Sequence, residues 1–203
     1  MIKIVVGSGN AHKLIEYQEL FPELALESLS QYPRMAEVAE DAPTFIGNAI
    51  LKAKAAWLHT GQIALADDSG LEVEALGGRP GVRSARYHPG TDRDRYQKLL
   101  TEMADEGNRR ARFTCAIAVA GLETRLNAET MPVQDGCIVV TGHCYGQIAQ
   151  TPQGHHGFGY DPIFEVEDGR TVAQLNAAEK HAMSHRGAAA RLLRPILDSI
   201  FSS

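Results

Sequence analysis

Ile63-Ala64-Leu65-Ala66-Asp67-Asp68-Ser69-Gly70 runs from an apolar stretch into two adjacent carboxylates and a glycine. The apolar part has the length of a short buried strand. Asp-Asp-Ser-Gly is expected to mark its end, where the chain bends out of a sheet. In α/β folds, ligands and metals gather at the carboxyl ends of strands. Successive strand side chains point to opposite faces, so one site can use only one of Asp67 and Asp68. One carboxylate is then expected to work in a cleft while the other pins the bend. Ordinary turn chemistry explains the same four residues equally well, so the rest of the chain must decide.

Outward from this stretch, elements of both kinds alternate. Ile2–Val6 reads as a first strand, followed by Gly7-Ser8-Gly9-Asn10 and a helix bearing Leu14, Tyr17 and Phe21 on one face. Asn10 is its expected N-cap and Pro22 its stop. An alanine-rich helix is predicted over roughly Phe45–Leu58, an extended segment over Leu71–Leu76, and a loop at Gly77-Gly78-Arg79-Pro80-Gly81. Thr91-Asp92-Arg93-Asp94 opens a third helix. Phe113–Ala120 and Cys137–Val140 read as strands, with Tyr145–Ala149 as a further extended piece. Asn176 and Glu179 form a candidate capping box, and a last helix runs from about Gly187. The fold class expected is α/β with a mixed sheet.

The 203 residues suit one domain over 1–203, or two closely joined lobes. No apolar run reaches a membrane span, and Met1 leads into a strand-like stretch rather than a signal peptide. Cys115, Cys137 and Cys144 are odd in number and widely spaced, which fits a reducing cytoplasm better than a disulfide framework or a zinc site. A net charge of −5 argues against a partner held by a general basic field, such as a nucleic-acid polymer.

Five constellations carry chemistry. Ser8-Gly9-Asn10-Ala11-His12-Lys13 joins a strand to a helix start, where free N–H groups and a lysine make a natural anion site; a capped helix with an exposed lysine looks the same. It is neither a Walker loop nor Gly-x-Gly-x-x-Gly. Asn48 and Lys52, four apart, share a helix face that either meets a polyphosphate or is simply solvated. Glu40 precedes that helix as a further oxygen donor. Asp67-Asp68-Ser69-Gly70 lacks the pattern of a nucleophile elbow, which leaves metal binding and general base work. Gly157-Phe158-Gly159-Tyr160-Asp161-Pro162 can hold an aromatic ring clear of the backbone beside a carboxylate, or be a packed turn. Lys180 and Ser184-His185-Arg186-Gly187 supply donors suited to carbonyl oxygens or phosphates, or form a helix-terminal basic cluster.

The ordered set resembles the inosine triphosphate pyrophosphatase family, which acts on dITP, XTP and other non-standard purine nucleotides. The resemblance rests on Ser8-Gly9-Asn10-x-x-Lys13, Thr44-Phe45-x-x-Asn48-Ala49-x-x-Lys52-Ala53 and Ala66-Asp67-Asp68-Ser69-Gly70-Leu71. It continues through Pro80-Gly81-Val82-x-Ser84-Ala85-Arg86-Tyr87, Gly157-Phe158-Gly159-Tyr160-Asp161-Pro162-Ile163-Phe164 and Glu179-Lys180-x-x-x-Ser184-His185-Arg186-Gly187. Each motif is weak by itself; the order, spread over nearly the whole chain, is specific.

The resemblance implies a long twisted mixed sheet with flanking helices, two lobes with a central substrate cleft, and a homodimer. It implies Mg²⁺-dependent hydrolysis of ITP, dITP or XTP to the monophosphate and pyrophosphate. Carried over residue by residue, Ser8, Gly9, Asn10, Ala11, His12, Lys13 and Lys52 would hold phosphates, with Ser69 beside them. Glu40 and Asp68 would bind metal, and Asp68 would accept the proton of the attacking water. Phe158, Gly159, Tyr160, Asp161, Lys180, His185 and Arg186 would hold and read the base. Gly47 departs from the pattern, because many relatives carry an acidic residue there. Residues 121–136 match no motif and are expected to form a surface loop. Two alternatives remain: a related pyrophosphatase for other modified nucleotides, and a nucleotide-binding regulator without turnover, which Gly47 favours slightly.

Overall fold

The computed structural model describes residues 3–122, 126–127 and 129–201. Ile2 of the expected first strand, and residues 123–125 and 128 of the expected loop, lie outside the described residues. The elements are β1 (Lys3–Val6), α1 (Ala11–Leu20), β2 (Ala25–Ser28), α2 (Phe45–Thr60), β3 (Ile63–Val73), α3 (Asp92–Glu102), β4 (Arg110–Ala120), β5 (Val133–Gln134), β6 (Cys137–Ile148), β7 (Phe164–Glu165), α4 (Ala177–Met183) and α5 (His185–Phe201). They build a seven-stranded sheet in the order β2-β1-β3-β4-β6-β5, with β7 pairing β6. β1 pairs parallel with β2 and β3, while β5 and β7 run antiparallel to β6, so the sheet is mixed as expected.

Local chemistry explains most boundaries. Asn10 caps α1 by accepting from the His12 N–H at 2.9 Å. Thr44 caps α2 through the Gly47 N–H at 3.0 Å, and Gly61 closes it in the left-handed region at φ 68°. Thr91 with Asp94, and Asn176 with Glu179, form reciprocal capping boxes at α3 and α4.

The main correction concerns β3. Asp67-Asp68-Ser69-Gly70 does not end a strand; β3 continues through it for 11 residues to Val73. Turn-forming composition yields here to the pairing and burial of a central strand, since Asp67 and Asp68 are both buried. A 3-10 turn over Glu74–Leu76 follows instead. Likewise Cys137–Val140 and Tyr145–Ala149 are not separate pieces but one 12-residue strand. Gly146 permits this: a Cβ there would sit 2.3 Å from the Glu165 carbonyl of β7. The last helix begins at His185, two residues before Gly187. Residues 121–136 hold more than a loop. Val133 and Gln134 pair with Ile138 and Cys137, joined by Asp135 and Gly136 at φ 49° and 72°. Two successive positive φ values are what a two-residue hairpin requires, and Asp-Gly is its usual sequence.

The chain clusters into two compact units, and β3, β4, β6 and α5 contribute residues to both. The first comprises Met1–Asp68, Cys115–Gly142 and Ala189–Ser203. Strand alternation gives this unit two cores. Leu65, Cys115, Ile117, Val119, Ile138 and Val140 pack with Tyr17 of α1 and with Ala189, Leu193 and Leu197 of α5. The intervening positions Ala66, Ala116, Ala118, Ala120, Cys137 and Val139 pack with Ala49, Ile50 and Ala53 of α2. Small side chains on both partners seat α2 close to the sheet, so enlarging one of these alanines should cost about 1–3 kcal/mol through overpacking. Gly7 belongs to the same arrangement, since a Cβ there would meet Ala56 at 3.0 Å and Ala66 at 3.3 Å. The second unit, Ser69–Thr114 and His143–Ala188, has its own core of Leu71, Val73, Leu99, Met103, Phe113, Ile163 and Phe164.

Candidate active site

In the first unit, β3 delivers its two carboxylates to opposite faces, as the period of a strand demands. Asp67 follows the face of Leu65 and turns toward α1. Its Oδ2 pairs with Lys13 Nζ at 3.0 Å and lies 3.9 Å from Cys115 Sγ; the Asp67 side chain is 0% exposed. Asp68 follows the face of Ala66 and turns toward α2. Its Oδ2 accepts from Asn48 Nδ2 at 3.1 Å and its Oδ1 from Lys52 Nζ at 3.1 Å.

Lys52 also donates to Glu40 Oε1 at 2.8 Å, so one ammonium joins two carboxylates. Burial works to lower the Lys52 pKa, but the charges of Asp68 and Asp67 and the Glu40 hydrogen bond outweigh it and leave it raised. Lys52 therefore stays a cation. Asn48 and Lys52 do not form a solvated face: Asn48 is 0% exposed, and both side chains reach Asp68. At the start of α1, Ser8 Oγ accepts from the Asn10 N–H at 3.2 Å. Gly9, Asn10 and His12 are exposed, while Ser8 and Lys13 are half-buried.

Among the described residues, no three His, Cys, Asp or Glu side chains gather as a metal cage. Mg²⁺ does not require one, because it keeps several waters and takes one or two carboxylates together with substrate phosphates. Glu40 and Asp68 supply two such carboxylates. Their convergence on a single cation shows that this position favours positive charge. The donor set fits Mg²⁺.

In the second unit, Asp161 Oδ2 accepts from the Phe158 N–H at 3.0 Å and from Lys180 Nζ at 3.1 Å. The same ammonium lies 4.9 Å from the centre of the Phe158 ring. Lys180 thus binds both the ring and the carboxylate that sequence assigned to base recognition. Gly157 is obligatory, with φ at 79° and Asp161 Oδ2 2.0 Å from where a Cβ would stand. The Gly159 N–H donates to Asp92 Oδ2 at 2.7 Å. Burial works against Asp92 ionising, but Arg95 and the Gly159 N–H hold its carboxyl below the usual range.

Tyr160 is nearly fully buried, and its hydroxyl donates to the Ser84 carbonyl at 2.9 Å. Burial pushes the phenol pKa up, so it remains a donor. His185 stacks on Phe113 with ring centres 4.9 Å apart. Arg186, at 2% exposure, is among the largest fully buried side chains. Ser184 Oγ accepts from the Gly187 N–H at 3.0 Å. Ser69 is half-buried on β3, and Ala11 opens α1.

Sequence reasoning undervalued three residues. Asn48 was visible as a helix neighbour of Lys52, but its contact with Asp68 crosses 20 residues. Asp67 as the partner of Lys13 and Asp92 as the partner of Gly159 span 54 and 67 residues, and no local signal announces them.

The sequence profile of the Ham1 family matches residues 4–196. A Parasynechococcus marenigrum protein named dITP/XTP pyrophosphatase is 45% identical over 204 residues, covering 100% of this chain and 98% of its own. One of the same name from Prochlorococcus marinus is 42% identical over 203 residues, with 100% and 97% covered. The solved structure of a HAM1 protein from Coxiella burnetii aligns with a TM-score of 0.85 at 40% identity, over 98% of this chain and all of that one. With a profile spanning nearly its full length and relatives at this identity over all of it, the chain belongs to the Ham1 family.

Proposed function

We propose that this protein hydrolyses non-standard purine nucleoside triphosphates, among them dITP, XTP and ITP, to the monophosphate and pyrophosphate. The observation that carries the reading is the pair of carboxylates, Glu40 and Asp68, converging on Lys52 beside a lysine-bearing helix start. The names of the relatives support the substrate class.

In this reading Asp68 accepts a proton from water as its oxygen attacks the α-phosphorus. The bond to the α–β bridging oxygen breaks and pyrophosphate leaves. Lys52 and Lys13, with the N–H groups at the start of α1, balance the phosphate charge. Glu40 and Asp68 are the residues that would hold Mg²⁺, which when bound neutralises charge on the phosphates. The Phe158 ring offers a stacking face, while Asp161, Lys180, His185 and Arg186 offer the polar groups that distinguish a 6-oxopurine from adenine. The assembly and compartment that accompany this reading are a homodimer in the cytoplasm, where the enzyme cleanses the nucleotide pool. Among the described residues no helix is long and apolar enough to cross a membrane.

A nucleotide panel tests the proposal. With Mg²⁺, dITP, XTP and ITP should each yield monophosphate and pyrophosphate, with ATP hydrolysed poorly. Release of orthophosphate and diphosphate, or a preference for ATP, would contradict it. No turnover on any member would favour a non-catalytic regulator.

A further inference from the structure

The side chain of Asn48 is fully buried and uses both ends of its amide. Nδ2 donates to Asp68 Oδ2 at 3.1 Å, and Oδ1 accepts from the Ala42 N–H at 3.0 Å. Ala42 lies two residues beyond Glu40, on the segment that leads into α2. One buried side chain therefore ties Asp68 to the backbone two residues beyond Glu40.

Gly47 leaves room for the second arm, the contact with Ala42. A Cβ at position 47 would stand 2.7 Å from the Ala42 Cβ and 3.2 Å from Thr44 Oγ1. With a glycine at position 47, the Ala42 N–H meets Asn48 Oδ1 without that crowding, and a larger residue here would force the Ala42 segment to shift. A buried amide with its donor and acceptor both committed has one orientation, since flipping it would face an N–H with an N–H and a carboxylate with a carbonyl oxygen.

We propose that Asn48, with the space left by Gly47, is a positioning residue that holds Asp68 and Glu40 in one frame for the reaction; this rests on the pyrophosphatase reading above. Two variants separate the arms. Asn48→Asp retains an oxygen for the Ala42 N–H but sets a carboxylate against Asp68. Gly47→Ala leaves the Asp68 contact in place and displaces the Ala42 segment.

Steady-state hydrolysis of Mg²⁺–dITP, per folded enzyme, is measured together with amide exchange at Ala42. Asn48→Asp should lower kcat about 10–100-fold, the range for losing a partner that orients an active group, with KM near wild type and Ala42 still protected. Gly47→Ala should accelerate Ala42 exchange and lower kcat by a smaller factor. If Asn48→Asp fails to fold, Gly47→Ala decides. Wild-type kcat in the folded variants, or losses that vanish once the folded fraction is counted, would overturn the inference while leaving the pyrophosphatase reading intact. A wild-type protein inert toward dITP would overturn that reading and this inference with it.

Discussion

Asp67 and Asp68 are neighbours of one chemistry on one strand, each carrying an ion pair to a lysine, yet their surroundings differ. On the α1 face Asp67 meets Lys13, which stands in the first turn of a helix whose start is largely exposed. On the α2 face Asp68 meets Lys52, Asn48 and, through Lys52, a second carboxylate. On the α1 face the Lys13 ammonium lies on Asp67 at the start of the helix. The α2 face has oxygen donors and a held cation in one place, as proton transfer and metal binding require. A single residue of strand register gives the two carboxylates different partners, and in the proposed reading it separates anchoring from chemistry.

Beyond the two carboxylates themselves, the largest effect is expected at Lys52. Lys52→Met removes the cation between Glu40 and Asp68, and losing one preorganised electrostatic group costs about 10²–10³ in kcat. Steady-state rates on dITP check this; a variant with undiminished kcat would mean that the α2 face is structural. Next in size is Lys13→Ala, which takes away the Lys13 partner of a buried carboxylate. Hydrogen bonds to charged groups contribute about 1.5–3 kcal/mol, so dITP binding should weaken roughly tenfold or more while dIMP binding changes less. Equal weakening for both ligands, measured calorimetrically, would place Lys13 away from the outer phosphates.

Smaller still is Phe158→Ala. Stacking on an aromatic face is worth about 1–3 kcal/mol per base and tolerates any base, so KM for dITP and for ATP should rise by similar factors. A change in their ratio would make the ring a reader rather than a platform.

The smallest effect concerns Asp92. Its folded-state pKa is depressed, so its hold on the Gly159 N–H is fully present above the ordinary carboxylate range and is lost as pH falls through the depressed value. Exchange at the Gly159 amide, corrected for its intrinsic pH dependence, should rise in that acid window in wild type. In Asp92→Ala it should already be raised at neutral pH.

What was legible in the sequence follows the same division. Period and capping chemistry announced α1, α2, α3 and β1, because each rests on neighbours within four residues. Strand alternation announced that Asp67 and Asp68 serve different faces. The continuity of β3 and β6 was hidden, because turn-forming residues sit where a central strand overrules them through pairing. β2 escaped notice because its four residues are only half-buried and carry no marked alternation. The β5–β6 hairpin was readable in Asp135-Gly136, a signal masked by its unpatterned flanks. The 157–161 loop is held by Asp92 and by the tie from Tyr160 to Ser84, at separations of 67 and 76 residues. No local pattern carries such ties.

The central claim is that the α2 face of β3 performs the chemistry and the α1 face anchors. It is tested most directly by the rates of pyrophosphate release from saturating Mg²⁺–dITP by Asp68→Asn and Asp67→Asn, each folded as judged by its thermal transition. Asp68→Asn should lose about 10²–10⁴ in kcat, the range for a general base, and Asp67→Asn should lose no more than about tenfold. An Asp67→Asn enzyme that is dead beside an Asp68→Asn enzyme that turns over would contradict the account.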